Sequence, residues 1–176
     1  MLIILMGISG SGKSTVANAL TTPHIEGVRL RLGETPLANR VSQLVVARPA
    51  GAIPVTASAD DYFTGPDGAY RFDPSQLGAA HGNCLRTVIG ALELEAPVVI
   101  VDNTNTTTIE LAPYIALGQA YEREVVVVAL NIGVSRAFER NVHQVPGPGI
   151  AAQAERLAKT LAEWPPWWPR PQVFEV

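Results

Sequence analysis

The sequence predicts an α/β fold of three layers, in which helices cover both faces of a central, mainly parallel sheet. Three observations predict this fold. Short, unbroken apolar runs alternate with longer amphipathic segments, which is the pattern of parallel strands connected by helices. A glycine-rich loop leads from the first apolar run into the first helix, and acidic residues follow two later runs. Such residues are expected at the carboxyl edge of the sheet, where ligands collect.

Composition indicates a single well-packed domain. The chain has 176 residues, of which 47% are hydrophobic and 16% charged, enough apolar surface for one sizeable core. The one cysteine excludes a disulfide framework and indicates a reducing, cytoplasmic location. The first apolar run is too short for a membrane span and lacks a basic leader, so we expect no membrane association. The net charge of −3 disfavours, without excluding, a nucleic-acid partner.

The first elements lie between residues 1 and 57. Residues 2–6 form an apolar strand, and the segment 13–20 predicts the helix after the glycine-rich loop. Residues 28–32 alternate like a strand with one exposed face, and 35–45 carry one apolar stripe behind a Thr-Pro helix start. A second short strand is predicted over 53–57.

The middle of the chain repeats the same alternation. Residues 70–74 read as a turn, and a helix is predicted over 75–93. The unbroken apolar run 97–101 predicts a buried strand, followed by a helix over 108–121 and another apolar strand over 125–130.

Prolines interrupt the predicted helices in the last third of the chain. A helix over 135–143 precedes the Pro/Gly-rich break at 145–149, and a final helix covers 150–163. The tail 164–176 is rich in tryptophan and proline and cannot begin as a helix. We expect its indoles to pack across the body of the domain.

Residues 7–15 (GISGSGKST) form a complete phosphate-binding loop. The glycines let the chain curl so that successive backbone N–H groups point inward at phosphate oxygens. Lys13 reaches the β- and γ-phosphates, and the Ser14 hydroxyl can bind Mg²⁺. A glycine-rich turn that only caps a helix does not explain the Lys and Ser. The loop predicts binding of ATP, or another nucleoside triphosphate, with Mg²⁺ by Gly7, Ser9, Gly10, Ser11, Gly12, Lys13, Ser14 and Thr15.

Two acidic sites follow predicted strands. Asp102 closes the strand 97–101, where a carboxylate can hold Mg²⁺ or anchor the Ser14 region, although an Asp here can also simply cap the next helix. Asp60 and Asp61 follow the strand 53–57, and one of them can accept the proton of an attacking hydroxyl. Because neighbours at a strand end point in opposite directions, the two need not share a role. Spacing alone does not choose between them.

Arg136 and Arg140 are four residues apart and therefore share one face of the predicted helix. In front of the Pro/Gly-rich break they can form a lid whose charge stabilises the transferring phosphoryl group; a solvated basic face is the alternative. His81 and His143 are isolated in the sequence, without the spacing of metal ligands.

Several segments together carry a family resemblance. They are GISGSGKST at 7–15, ADDYF at 59–63, YRFD at 70–73, AH at 80–81, VDNTN at 101–105, PY at 113–114 and RNVHQVP at 140–146. In this order they resemble the P-loop kinase domain of the polynucleotide 5′-kinase group. The likeness is nearest to the kinase-like domain of NEDD4-binding protein 2 and more distant to the phage polynucleotide kinase. It covers residues 1–24 and 53–163, which implies a P-loop kinase domain over 1–163 with an insertion at 24–52, and leaves the tail 164–176 outside it.

The resemblance implies a role for each matching residue. Lys13 and Ser14 would hold the donor phosphates and Mg²⁺, and Asp60 would be the general base for a 5′-hydroxyl. Asp102 would organise the metal or the acceptor side. Arg140 would belong to the lid, with Arg136 as the lesser candidate. The implied partners are a nucleoside triphosphate and a 5′-hydroxyl nucleic-acid end.

Two departures from the phage enzyme concern the acceptor. Where that enzyme has an arginine that binds the acceptor's phosphate, this chain has Phe63; where it has a further lid arginine, this chain has His143 or Gln144. Two alternatives therefore stay open. One is a kinase of a small hydroxyl compound, such as a nucleoside, sugar or antibiotic. The other is an ATP-binding interaction module whose tryptophan-rich tail is the partner surface. The insertion at 24–52 is expected to shape acceptor choice.

Overall fold

The computed structural model describes residues 1–21 and 54–176. The predicted strand at 28–32, the predicted helix at 35–45 and the whole of the expected insertion at 24–52 lie outside the described residues.

The described residues form a five-stranded sheet in which every pairing is parallel. The strands, in chain order, are β1 (Leu2–Gly7), β2 (Val55–Ala57), β3 (Val99–Asp102), β4 (Val125–Asn131) and β5 (Gln172–Glu175). Their spatial order is β2-β3-β1-β4-β5. The first strand is central, and Leu5 pairs with Asp102 on one side and Val128 on the other. The predicted parallel α/β sheet is confirmed.

The strands alternate with helices. These are α1 (Lys13–Thr21), α2 (Leu77–Glu93), α3 (Thr108–Ala120), α4 (Val134–Glu139) and α5 (Gly147–Ala162), with 3₁₀ turns at Asp60–Phe63 and Pro74–Gln76. Helix α3 begins at a capping box, in which Thr107 accepts from the Glu110 N–H and the Glu110 carboxylate accepts from the Thr107 N–H.

Two apolar clusters lie on opposite faces of the sheet, because successive side chains of a strand point to opposite sides. Leu2, Ile4 and Met6 belong to the larger cluster, which contains buried residues of α2, α3 and α5. Ile3 and Leu5 belong to the smaller cluster, which contains Val16, Ala17 and Leu20 of α1. The two clusters produce the predicted three layers.

Helix α4 is shorter than the predicted helix over 135–143. It ends at Glu139, and the side chain of Asn141 then donates to the Val145 carbonyl at 2.7 Å and accepts from the Val145 N–H at 3.2 Å. These local bonds compete with helical ones and close a loop instead. Helix α5 begins at Gly147 rather than 150, with Pro148 in its first turn, where its missing N–H has no helical partner to lose.

The tail contains a strand that the sequence did not predict. Strand β5 pairs with β4 in register, Val128 with Gln172 through Asn131 with Glu175. Only Val173 and Phe174 separate the polar ends of this strand, so its hydrophobic signal is weak. The indoles of Trp164 and Trp168 lie edge to face at 5.6 Å and pack on the larger cluster, whereas Trp167 is exposed.

No helix in the ranges 1–21 and 54–176 combines the length and apolar character that crossing a bilayer requires.

Candidate phosphoryl-transfer site

The residues with candidate roles gather at the carboxyl edge of the sheet. Strand β1 runs directly into the glycine-rich loop, and its last residue, Gly7, pairs with Leu130 of β4. On the other side, Asp102 is the last residue of β3. The predicted meeting of the loop and Asp102 at one edge is therefore observed.

The segment after β3 anchors the phosphate loop. The Gly7 N–H donates to the Thr104 carbonyl at 2.8 Å, and the Asn105 amide donates to the Leu5 carbonyl at 2.7 Å. Asn105 adopts a left-handed conformation, φ 46°, which Asn tolerates better than most residues. These bonds tie the start of the loop to the end of the neighbouring strand.

The loop is closely packed against the elements that follow it. Gly10 has φ 81°, and a Cβ there would lie 2.1 Å from the Ala137 carbonyl oxygen, so only glycine fits against α4. The Ser9 N–H donates to Gln153 Oε1 of α5 at 2.8 Å. The Ser11 hydroxyl is buried without a hydrogen-bond partner among the described residues. An unpaired buried hydroxyl in this loop fits a site for ligand oxygens.

Lys13 is buried at the start of α1. It is 8% exposed, and its Nζ donates to the Ile8 carbonyl at 3.0 Å. Burial lowers the pKa of Lys13 to about 8, although the charges of Asp102 and Asp60 oppose that shift. The lysine, Asp60 and Asp102 are thus close enough to influence one another.

Ser14 and Asp102 fit a magnesium site. Burial raises the pKa of Asp102, which a hydrogen bond from Ser14 and the charge of Lys13 oppose, while Asp60 and Asp61 raise it further. Asp60 and Asp102 both act on one lysine, so the site has an excess of negative charge and oxygen donors that suit a hard divalent cation. Within 1–21 and 54–176, no three His, Cys, Asp or Glu residues form a metal cluster. Magnesium needs only one or two protein ligands when phosphates and water complete its shell.

Asp60 begins a 3₁₀ turn rather than ending an extended strand, so the expected alternation of Asp60 and Asp61 was wrong. The turn is tied to the end of β3. The Ala59 N–H donates to Asn103 Oδ1 at 2.8 Å, the Asp60 N–H donates to the Ser58 hydroxyl at 3.2 Å, and that hydroxyl donates to the Asp102 carbonyl at 2.9 Å.

Asn103 is the centre of a buried polar network. Besides accepting from Ala59, its amide donates to Cys84 Sγ at 3.3 Å and to the Tyr114 hydroxyl at 3.2 Å. Burial raises the pKa of Cys84, which keeps the thiol neutral. One side chain thus connects the Asp60 turn with helices α2 and α3.

Two aromatic side chains engage the Asp60 carboxylate. The Tyr70 hydroxyl donates to Oδ1 at 3.0 Å, and His143 Nε2 lies 3.6 Å from Oδ2. The Tyr70 and His143 rings lie 4.7 Å apart. Burial and the Asp60 charge raise the pKa of Tyr70, so its hydroxyl remains a neutral donor. His143, isolated in the sequence, is therefore a neighbour of Asp60 in the fold.

The two arginines have different surroundings. Arg136, within α4, donates to the Val176 carbonyl at 3.2 Å beside β5. Arg140 follows the last residue of α4, so the continuous helix expected to carry both arginines is not formed. The Arg140 guanidinium has no hydrogen bond or ion pair with the described residues, and the residue is exposed.

Phe63 occupies a core position. It is 5% exposed and packs edge to face against Tyr62, Tyr70 and Phe72. The residue at this place is thus part of an aromatic cluster, which accounts for a ring rather than a cation here.

Sequence reasoning assigned no role to Tyr70, Asn103, His143 or Gln153. Tyr70, Asn103 and His143 lie inside segments that carry the family resemblance. Membership of those segments is the feature of the sequence that could have indicated a role for them. No spacing rule connects His143 with Asp60, or Gln153 with Ser9, because the chain brings them together only through the fold.

A parallel sheet whose first strand leads into a phosphate loop, with a buried lysine and carboxylates at the same edge, defines a P-loop kinase-like domain. The chain belongs to the AAA domain family, whose model matches residues 2–164.

Human NEDD4-binding protein 2 is 32% identical over 166 residues, which cover 92% of this chain and 8% of that protein. The chain therefore spans less than a tenth of this relative. Together with the family match, this likeness confirms the resemblance inferred from the motifs.

Two solved structures share the fold. One is the structure of the Pnkp1/Rnl/Hen1 RNA repair complex, with a TM-score of 0.65 and 19% identity, covering 96% of this chain and 48% of the matched chain. The other is the APS kinase CysC of Mycobacterium tuberculosis in complex with AMPPNP and APS, with a TM-score of 0.52 and 13% identity, covering 99% and 87%. At these identities the two likenesses show the fold alone.

Proposed function

We propose that this domain transfers the γ-phosphate of ATP, or of another nucleoside triphosphate, to the 5′-hydroxyl of a polynucleotide in the cytoplasm. The observation that carries the proposal is that Lys13, in the phosphate loop after β1, and Asp60, in the turn after β2, lie at the same edge of the sheet, close enough for the Asp60 charge to act on the lysine. A donor-phosphate group and a proton acceptor then flank one point, as phosphoryl transfer to a hydroxyl requires.

Each residue has one task in this reaction. The loop from Gly7 to Thr15 and the Lys13 ammonium bind the donor phosphates. The acceptor oxygen attacks the γ-phosphorus, the bond to the β-phosphate oxygen breaks, and the hydroxyl proton passes to the Asp60 carboxylate. Arg140 adds positive charge to the transferring group. Ser14 and Asp102 would hold Mg²⁺, which neutralises phosphate charge when bound.

The test is transfer of labelled phosphate from ATP with Mg²⁺ to 5′-hydroxyl DNA and RNA oligonucleotides by the wild type and Asp60→Asn. We expect label on the oligonucleotide, and a fall in kcat of about 100-fold or more in the variant, with ATP binding intact. Asp61→Asn is the matched control, because the hydrogen bond from Tyr70 and the ion pair with His143 are made by Asp60 and not by Asp61. Equal losses in both variants would contradict a specific role for Asp60.

A small-hydroxyl kinase is the second candidate. The buried Phe63 favours it, because the Asp60 turn then offers no cation to an acceptor phosphate. The APS kinase that shares the fold binds the small molecule APS in its solved complex. ATP binding without label on any oligonucleotide, but with label on a nucleoside or sugar, would select this candidate. ATP binding with no transfer to either class would select the interaction module.

A further inference from the structure

Next to Asp60, three aromatic rings surround a buried fourth. Ring centroids of Tyr62, Tyr70 and Phe72 lie 5.5, 6.1 and 5.1 Å from that of Phe63, all edge to face. Phe63 is buried, whereas Tyr62 is 43% and Phe72 54% exposed. We call these four residues the aromatic cluster. Partly exposed rings that lie together on a protein surface are a candidate binding surface.

The aromatic cluster adjoins the proposed general base. The Tyr70 hydroxyl donates to the Asp60 carboxylate at 3.0 Å, so one member of the cluster directly contacts the group proposed to accept the proton. His143 already lies against the Tyr70 ring. Tyr70 itself is 36% exposed, so the most exposed residues of the cluster are Tyr62 and Phe72.

The charge of the segment that contains the aromatic cluster disfavours phosphate as its ligand. Between residues 60 and 76 the chain has four aspartates and a single cation, Arg71. That cation is already engaged, because Arg71 forms a two-point ion pair with Asp67. A phosphate group would meet net negative charge here, whereas the uncharged face of a nucleobase would meet open rings.

We propose that Tyr62 and Phe72 bind the first nucleobases at the 5′ end of a single-stranded acceptor by stacking. The inference rests on the proposed function and names the acceptor class of that same site: a strand end held by its bases rather than by its phosphates. Stacking on an aromatic side chain tolerates every base, because each base has a flat π-face. The site would accordingly accept any base at the 5′ end, and it would require that this end be unpaired.

The experiment compares two 5′-hydroxyl oligonucleotides that differ only in their first two positions, which are normal nucleotides in one and abasic in the other. For the wild type we expect the KM of the abasic oligonucleotide to be about tenfold higher, with kcat changed little. In Phe72→Leu, which keeps apolar bulk but loses the π-face, and in Tyr62→Leu, this preference shrinks toward onefold. Trp167→Leu is the control, because Trp167 is an exposed ring in the tail, and it should keep the wild-type ratio.

Equal KM values for the two oligonucleotides in the wild type, or a full preference in both leucine variants, would overturn the inference. Failure of the proposed function looks different: no label reaches either oligonucleotide. In that case the two oligonucleotides, fluorescently labelled at the 3′ end, are titrated directly with the protein. Tighter binding of the intact strand, lost in Phe72→Leu, supports the aromatic cluster as a base-binding surface, and absence of binding overturns it.

Discussion

At the scale of single residues, Lys13 shows how function and stability oppose each other. Lys13 is 8% exposed, so its ammonium group loses most of its hydration, and among the described residues it donates to the Ile8 carbonyl. The charges of Asp102 and Asp60 compensate for this loss only in part, because burial still lowers the pKa of the lysine. Donor phosphates would supply further partners to the buried charge.

Replacing Lys13 with Met is expected to stabilise the unliganded domain and to abolish transfer. One pKa unit corresponds to about 1.4 kcal/mol, so lowering the pKa from 10.5 to about 8 costs about 3 kcal/mol of folding free energy. Loss of the hydrogen bond to the Ile8 carbonyl reduces this gain in stability by about 1 kcal/mol. We therefore expect Lys13→Met to raise the free energy of unfolding by about 2 kcal/mol, measured by urea denaturation at pH 7.

The same substitution has a defined pH dependence. Below pH 8 the lysine is charged in both states, and the full penalty is present. Between about pH 8 and 10.5 the folded state has released its proton and the unfolded state has not, so wild-type stability rises with pH. The advantage of Lys13→Met should shrink across this window. A constant advantage from pH 7 to 10.5 would show that the pKa of Lys13 is not lowered.

At the scale of elements, Asn103 joins the Asp60 turn to strand β3 and to helices α2 and α3. Other bonds also attach the turn: the Asp60 N–H donates to the Ser58 hydroxyl, the Thr64 hydroxyl donates to the Asp60 carbonyl at 3.4 Å, and the Arg71 N–H donates to the Phe63 carbonyl at 2.8 Å. Asn103 is the buried side chain that ties the start of the turn to the end of β3.

Asn103→Leu should lower both stability and transfer. It leaves the Ala59 N–H without an acceptor, at a cost of about 1–3 kcal/mol, and frees the turn that holds Asp60. Tyr114→Phe is the matched control, because it removes a hydroxyl of the same network and leaves the bond to Ala59. We expect that variant to lose about 1 kcal/mol in thermal denaturation and to keep its kcat. A comparable loss of kcat in Tyr114→Phe would mean that the network acts as a whole.

The elements differ in how much of them the sequence could predict. Strands β1, β3 and β4 are unbroken apolar runs, and the phosphate loop has a fixed residue pattern, so local sequence suffices for both. The end of α4 depends on Asn141 bonding to Val145, and the surroundings of Asp60 depend on His143 approaching from a distant loop. Contacts of this kind are set by tertiary packing, which periodicity does not contain.

At the scale of the whole molecule, the tail completes the sheet. Strand β5 covers the side of β4 opposite β1, and Phe174 packs into the smaller apolar cluster. Its neighbour Val173 points to the other side and is exposed. The smaller cluster therefore includes a residue from beyond the family match at 2–164.

Phe174→Ala should destabilise the domain by about 1–2 kcal/mol, because a half-buried ring leaves the cluster. Val173→Ala, the adjacent substitution on the exposed side, should cost less than about 0.5 kcal/mol. Urea denaturation of both variants measures the difference. Equal effects would mean that β5 is not docked on the sheet as described.

The close approach of Gly10 to Ala137 makes the phosphate loop and helix α4 one packed unit, because even a methyl group at position 10 would collide with the Ala137 carbonyl oxygen. A larger residue at position 10 would therefore displace the loop and the helix together rather than the loop alone.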